Sequence, residues 1–247
     1  MRRILILGGT GDARALAARF AKSDGFEITL SLAGRTSDPL PHAVPVITGG
    51  FGGADGLADY VLQQEIDLLV DATHPFAERM SGNAANAALR TGIPLLALRR
   101  PTWGRQEGDR WTPVRDAAEA VAALGTAPRR VFLSLGRQEV GPFAAAPQHF
   151  YLIRSVEPVD LDVPNARHLL ARGPFAEADE RALLIEWRIN VVVSKNSGGD
   201  ATYGKIAAAR DLGIEVLMLE RPNLPLVDAV ASVDAAERRI HQLLSRA

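Results

Sequence analysis

The chain has 247 residues, enough for one large domain or two small ones, and at 47% hydrophobic and 23% charged it can bury a sizeable core. A net charge of −1 argues against a nucleic-acid or anionic-membrane partner, and the absence of cysteine excludes disulfides, thiolate catalysis and Cys-ligated metals. No apolar run reaches the length of a membrane span, so a cytoplasmic location is expected.

Arg3 to Leu7 is a short run of bulky apolar residues, the mark of a buried parallel strand. Gly8, Gly9, Thr10 and Gly11 follow directly, with Asp12 placed to cap a helix over Ala13 to Phe20. Strand, glycine loop and helix in this order build a phosphate site, because glycines admit an anion and the helix end offers free N–H groups. The match to the dinucleotide fingerprint is partial, since Arg14 holds the third glycine position. A tight turn without a ligand is the competing explanation.

Phe26 to Leu32 predicts the second strand, ending in Ala33-Gly34-Arg35-Thr36. A proline-rich loop leads to a short strand at Val44 to Ile47 and the run Gly49-Gly50-Phe51-Gly52-Gly53. Ala54 to Gln64 has helical spacing, and Ile66 to Val70 is an apolar strand ending in Asp71-Ala72-Thr73-His74-Pro75-Phe76-Ala77. Ala77 to Arg90 predicts a helix, Ile93 to Leu98 a strand, and Trp103 to Trp111 an irregular stretch. Asp116 with Glu119 resembles a capping box for a helix to Leu124. Strands at Val131 to Leu135 and Phe150 to Ile153 and a helix at Glu177 to Arg188 follow. The strand Val191 to Ser194 then runs into Lys195 to Asp200, where Asp200 can cap the helix Thr202 to Leu212. Strand Glu215 to Leu219 and helix Asp234 to Leu244 complete the pattern.

The second half echoes the first. Gly92-Ile93, Leu96, Leu98 and Arg100-Pro101 recur as Gly213-Ile214, Leu217, Leu219 and Arg221-Pro222, and Asp116-Ala117-Ala118-Glu119 recurs as Asp234-Ala235-Ala236-Glu237. Alternating strands and helices in both halves predict an α/β fold of two Rossmann-like parallel-sheet domains flanking a cleft. The repeat puts the boundary near Thr126-Ala127-Pro128, giving an N-terminal, cofactor-binding domain over 1–126 and a C-terminal domain over 127–247.

Ligands in such sheets bind beyond the carboxyl ends of the strands. Gly8, Gly9, Thr10, Gly11 and Asp12 are assigned to a pyrophosphate. Arg35 and Thr36 follow the second strand, where an acidic residue selects NADH; an arginine there suits the 2′-phosphate of NADPH, unless it is only a solvated surface residue. His74 beside Asp71 and Thr73 can orient a substrate or pass a proton, or can simply hydrogen-bond the loop backbone. Metal binding is not expected, because no second histidine lies at ligand spacing. Lys195, Asn196, Ser197, Gly198 and Gly199 offer a cation, an amide, a hydroxyl and glycine N–H groups that together suit an anion. Lys205 follows on the next helix. In a chain with three lysines, Lys195 and Lys205 stand out. A polar connection without a ligand is the alternative for this loop.

The ordered set GGT-x-D, AGRT, GGFGG, DATHPFA, GPF at 173–175, SKNSGG and Lys205-Ile206 through Arg221-Pro222 resembles the precorrin-6A reductase family of cobalamin biosynthesis. The resemblance runs from Arg3 to Pro222, and DATHPFA and SKNSGG are its most specific stretches. It implies a two-domain α/β fold and NADPH-dependent reduction of a carbon–carbon double bond in a tetrapyrrole (precorrin) macrocycle, without a catalytic metal. Hydride would go to one ring carbon and a proton to its neighbour. His74 and Lys195 are then the candidate catalytic residues. Thr73, His74, Lys195 to Gly199 and Lys205 would face the carboxylate-rich substrate. The expected assembly is a monomer or weak oligomer. Two other readings remain. A short-chain-reductase-like enzyme would need a Tyr-x-x-x-Lys pair, which Tyr60, Tyr151 and Tyr203 do not make. A non-catalytic NADP(H)-sensing module would bind the nucleotide without oxidising it.

Overall fold

The computed structural model describes residues 1–34, 40–159 and 163–245. The chain begins with β1 (Arg2–Leu7), α1 (Gly11–Phe20), β2 (Phe26–Leu32), β3 (Val46–Thr48), α2 (Ala54–Gln63), β4 (Leu68–Asp71), α3 (Glu78–Thr91) and β5 (Leu95–Leu98). It continues with β6 (Trp111–Val114), α4 (Ala117–Leu124), β7 (Arg130–Ser134), β8 (Phe150–Ser155), β9 (Ala166–Leu170), α5 (Glu177–Glu186), β10 (Val191–Lys195), α6 (Gly204–Asp211) and β11 (Glu215–Leu219). β12 (Asp228–Val230) and α7 (Val233–Ser245) come last. Short 3₁₀ turns at Arg137–Glu139, Gly141–Ala145 and Asp200–Thr202 fill connections after β7 and β10.

Among the described residues there are two six-stranded sheets, in the orders β12-β5-β4-β1-β2-β3 and β6-β11-β10-β7-β8-β9. Every strand pair is parallel, so the α/β class with two Rossmann-like sheets is as expected. In the first sheet, alternation along the strands feeds two cores. Ile4, Ile6, Leu68, Val70, Leu96 and Leu98 pack with Leu16 and Phe20 of α1 and Ile240 of α7. Leu5, Leu7 and Leu69 pack on the other face with Leu57 and Val61 of α2 and Ala84 and Ala87 of α3. The second sheet sets Phe132, Leu152, Val192, Val216 and Met218 against Leu184 of α5 and Ile206 and Ala209 of α6. Strands buried on both faces read as unbroken apolar runs, which is why the inner strands were legible.

The domain boundary differs from the expectation. The chain divides into one unit of 1–101 with 222–247 and another of 102–221. The repeat around β5 and β11 is present, but the strand after each pairs in the other unit's sheet. β6 lies beside β11, with Trp111 opposite Val216, and β12 lies beside β5, with Asp228 opposite Leu96. The helices follow their strands: α4 packs on β11 and β6, while α7 packs on α1 and β5. A boundary at 126 would strip one sheet of β6 and α4 and the other of β12 and α7.

The edge strands β6, β9 and β12 escaped the sequence reading. They are short and mostly exposed or half-buried, so they carry no apolar run. Helix starts shift by a residue or more: Thr10, not Asp12, caps α1, and α3 begins at Glu78. Asp116 does cap α4, its side chain accepting from the Glu119 N–H, while Glu119 reaches back to the Arg115 N–H at 2.7 Å.

The strand exchange predicts which fragment folds. A chain of 102–221 retains all six strands of its sheet and should melt cooperatively by far-UV circular dichroism, whereas a chain of 127–247 should not. The reverse result contradicts the division.

Candidate active site

In the first unit, β1 and β4 are neighbours with Leu7 opposite Asp71, so the glycine loop and the DATHPFA loop leave the same sheet edge side by side. Gly9 adopts φ +108°, a conformation that favours glycine, and open space lies where a Cβ on Gly9 or Gly11 would stand. Gly8 runs close to β2, its N–H donating to the Ser31 carbonyl at 2.8 Å. Thr10 joins the two loops. Its Oγ1 accepts from the Ala13 N–H at 3.0 Å and donates to the Ala72 carbonyl at 2.8 Å.

Asp12 lies in the first turn of α1 and pairs with Arg100 at 3.0 Å. Arg100, just past β5, therefore stands beside the glycine loop, a position the sequence reading did not give it. The available signal was its repeat partner Arg221, which follows β11 in the same way.

Asp71 organises the second loop. It is buried at the end of β4. One carboxylate oxygen accepts from the Thr73 hydroxyl at 2.6 Å and its N–H at 3.2 Å, and the other accepts from the Ser81 hydroxyl at 2.6 Å. His74 Nδ1 accepts from the Phe76 N–H at 3.3 Å, which leaves the ring proton on Nε2. Thr73 and His74 are half-buried. Arg35 and Thr36 lie outside the described residues.

In the second unit, Lys195 ends β10, and its ammonium pairs with Glu139 on the 3₁₀ turn after β7. The following loop is largely satisfied by its own surroundings. Asn196 Oδ1 accepts from the Trp103 N–H at 2.8 Å while its Nδ2 donates to the Trp103 carbonyl at 3.1 Å. The Trp103 indole N–H donates to the Gly199 carbonyl at 2.8 Å. Arg221 donates to the carbonyls of Asn196 and Ser197 at 2.8 and 2.9 Å. Gly198 and Gly199 take φ values of +68° and +74°, which give the loop its turn. Asp200 opens a 3₁₀ turn rather than capping α6, whose N-cap position is Tyr203. A cavity of about 550 Å³ lies beside this clamp, lined by Thr102, Arg105, Trp111, Asn196, Glu220 and Arg221 among others.

Lys205 lies on α6 as expected, but departs most from the expectation that it faces the substrate. It is 3% exposed. Its ammonium donates to the Thr202 carbonyl at 2.6 Å and lies 5.1 Å from the Trp103 ring centroid. Its pKa is pushed down to about 7, by burial first and by the Arg154 charge second, with Glu180 opposing both. Arg154 and Glu180 are themselves a buried two-pronged ion pair, with one contact at 2.8 Å, and the guanidinium lies 3.6 Å over the Phe175 ring. The GPF stretch of the sequence thus supports a buried charge.

The unfolded chain holds the Lys205 proton up to the ordinary value of 10.5, so between about 7 and 10.5 it binds more protons than the folded chain. Folding stability therefore rises with pH through that window. The stability of Lys205→Met relative to the parent should fall across it by up to about 1.4 kcal/mol per pH unit. A difference in urea-unfolding free energy that stays flat with pH contradicts this.

The chain matches the family described as "Precorrin-6x reductase CbiJ/CobK" over residues 3–241. A precorrin-6A reductase from Sinorhizobium sp is 59% identical over 247 residues, covering 99% of this chain and 95% of that one. Another from Rhodococcus erythropolis is 52% identical over 240 residues, covering 95% of this chain and 97% of that one. A solved structure described as "CobK precorrin-6A reductase" superposes with a TM-score of 0.93 at 45% identity, covering 98% of this chain and 97% of that one. These similarities span both sheets and the loops between Leu7 and Arg221, and the chain belongs to the precorrin-6x reductase family.

Proposed function

We propose that the chain is a cytoplasmic precorrin-6A reductase that uses NADPH to convert precorrin-6A to precorrin-6B in cobalamin biosynthesis. Family membership along nearly the whole chain carries this reading. A bound NADPH would supply the hydride, ending as NADP⁺ while one carbon–carbon double bond of the macrocycle becomes a single bond.

The glycine loop suits the cofactor's pyrophosphate. Space is open beside Gly9 and Gly11, and the amides of Gly11 and Asp12 precede the first intrahelical bond of α1. Thr10 fixes the loop by turning its hydroxyl inward to Ala72, and Arg100 neutralises Asp12, whose charge would otherwise oppose a phosphate. His74, donating through its Nε2–H, is assigned to orient the macrocycle beside the ring carbon that takes its proton from solvent. The loop from Lys195 to Gly199 receives carboxylates of the macrocycle. There Lys195 is already paired with Glu139, so a substrate carboxylate competes for an ammonium whose position is set in advance.

The test is turnover. NADPH absorbance should fall in the presence of precorrin-6A while the macrocycle gains the mass of two hydrogens. Nucleotide binding without oxidation would instead favour the sensing module.

Two substitutions separate the assigned sites. Lys195→Ala should weaken equilibrium binding of the macrocycle by about 1–3 kcal/mol, the scale of a lost charged hydrogen bond, and leave NADPH binding alone. If NADPH binding weakens instead, the assignments are exchanged. Arg35 and Thr36 are given the 2′-phosphate on sequence position, since no Asp or Glu lies between Ile28 and Ser37. Arg35→Ala should lower affinity for NADPH far more than for NADH by titration of each nucleotide. Equal losses would remove Arg35 as the selector.

A further inference from the structure

Lys205 is a poor choice for stability. It is a cation in the first turn of α6, where the helix dipole disfavours positive charge. It is also stripped of water, with the Arg154 guanidinium lowering its pKa from β8 and Glu180 on α5 the opposing charge. An apolar side chain of similar length would fill the same space without that cost.

What the ammonium does is local and directional. It holds the Thr202 carbonyl, at the end of the 3₁₀ turn that leads the SKNSGG loop into α6. It also lies 5.1 Å from the centroid of Trp103. That indole is the loop's main fastening, bonded through its ring N–H to the Gly199 carbonyl and through its backbone to both ends of the Asn196 amide. Tyr203 closes the other approach, its ring centroid 5.6 Å from that of Trp103 and its hydroxyl held by Arg210 at 2.9 Å. In its protonated form the amine is also attracted to the indole face, most strongly where water is excluded. Lys205 thus touches both the root of the loop and the residue that clamps its tip.

We propose that Lys205 is a positioning residue for the reduction, holding the Ser197–Gly199 turn through Trp103 and Thr202 in the conformation that receives the tetrapyrrole. The inference rests on the reading that this loop binds the macrocycle. It gives the buried lysine a part in substrate affinity without contact with the substrate.

The experiment replaces Trp111 and Trp187 by Phe, leaving Trp103 as the single indole, and compares Lys205→Met with that parent. Trp103 emission should shift and become easier to quench with acrylamide. KM for precorrin-6A should rise about tenfold, with kcat within about twofold and KM for NADPH unchanged. Lys195→Ala serves as the control for the site itself. If Lys195→Ala raises the macrocycle KM and Lys205→Met does not, the positioning role is overturned and the loop keeps its ligand. If neither variant changes it, the loop is not the macrocycle site and both readings fall. Loss of kcat with both KM values unchanged also overturns the role. Should Lys205→Met fail to fold, Trp103→Phe removes the bond to Gly199 and shrinks the ring that faces Lys205 and Tyr203. It should give the same selective rise in KM, and an unchanged value there rejects the proposal.

Discussion

A charged side chain at the end of a strand buried on both faces must find its partner at once, and both candidate loops take their shape from that demand. Asp71 ends β4 with its carboxylate buried, and three donors from Thr73 and Ser81 close around it. The bond from Thr73 bends the chain back on itself immediately before His74. Lys195 ends β10 and meets Glu139 from the turn after the neighbouring β7. An unmet charge at either position would cost several kcal/mol, so the loops have little freedom to relax away from these geometries. Pre-organisation of this kind places polar groups before a ligand arrives.

The internal repeat shows the same logic used twice. β5 and β11 each end in a leucine followed one residue later by an Arg-Pro pair, at Arg100-Pro101 and Arg221-Pro222. In the first unit Arg100 pairs with Asp12 beside the glycine loop. In the second, Arg221 holds the carbonyls of Asn196 and Ser197. Each arginine fastens the principal strand-to-helix loop of its own unit. The proline after it marks where the chain leaves that unit, since residue 102 begins the second unit and residue 222 returns to the first. The repeat is therefore visible in anchoring as well as in strand pattern, although the strand that follows each copy belongs to the other sheet.

That exchange marks the limit of what sequence pattern could reveal. Inner strands such as Ile4–Leu7 and Val191–Val193 announce themselves because both their faces are buried. β6 and β12 are four- and three-residue edges, and nothing in Trp111-Thr112-Pro113-Val114 or Asp228-Ala229-Val230 says which sheet they complete. A repeat in sequence sets similar local structure, while partner choice is a long-range matter of which edge stands vacant. The position of the candidate loops was legible to a similar degree. The glycine loop, DATHPFA and SKNSGG all lie at strand carboxyl ends, as the alternation of elements requires. Their supports were not legible, because Thr10 reaches Ala72 and Trp103 reaches Asn196 and Gly199 across more than sixty residues of chain.

Those supports alter what the residue types in the loops mean. Asn196 looks like a donor and acceptor awaiting a ligand, yet both ends of its amide are spent on the Trp103 backbone, as one strand would pair with another. Lys205 looks like a second cation for an acidic substrate, yet it is buried beside an indole and an Arg–Glu pair. Within SKNSGG, the side chain at the end of β10 keeps an exchangeable partner, because Glu139 is a carboxylate that a substrate carboxylate can replace. Polar residues that hold a loop and polar residues that hold a ligand are chemically alike. What separates them is whether their bonds are already made to neutral backbone groups, which a charged ligand has little to gain by displacing, or to an ion of the ligand's own kind.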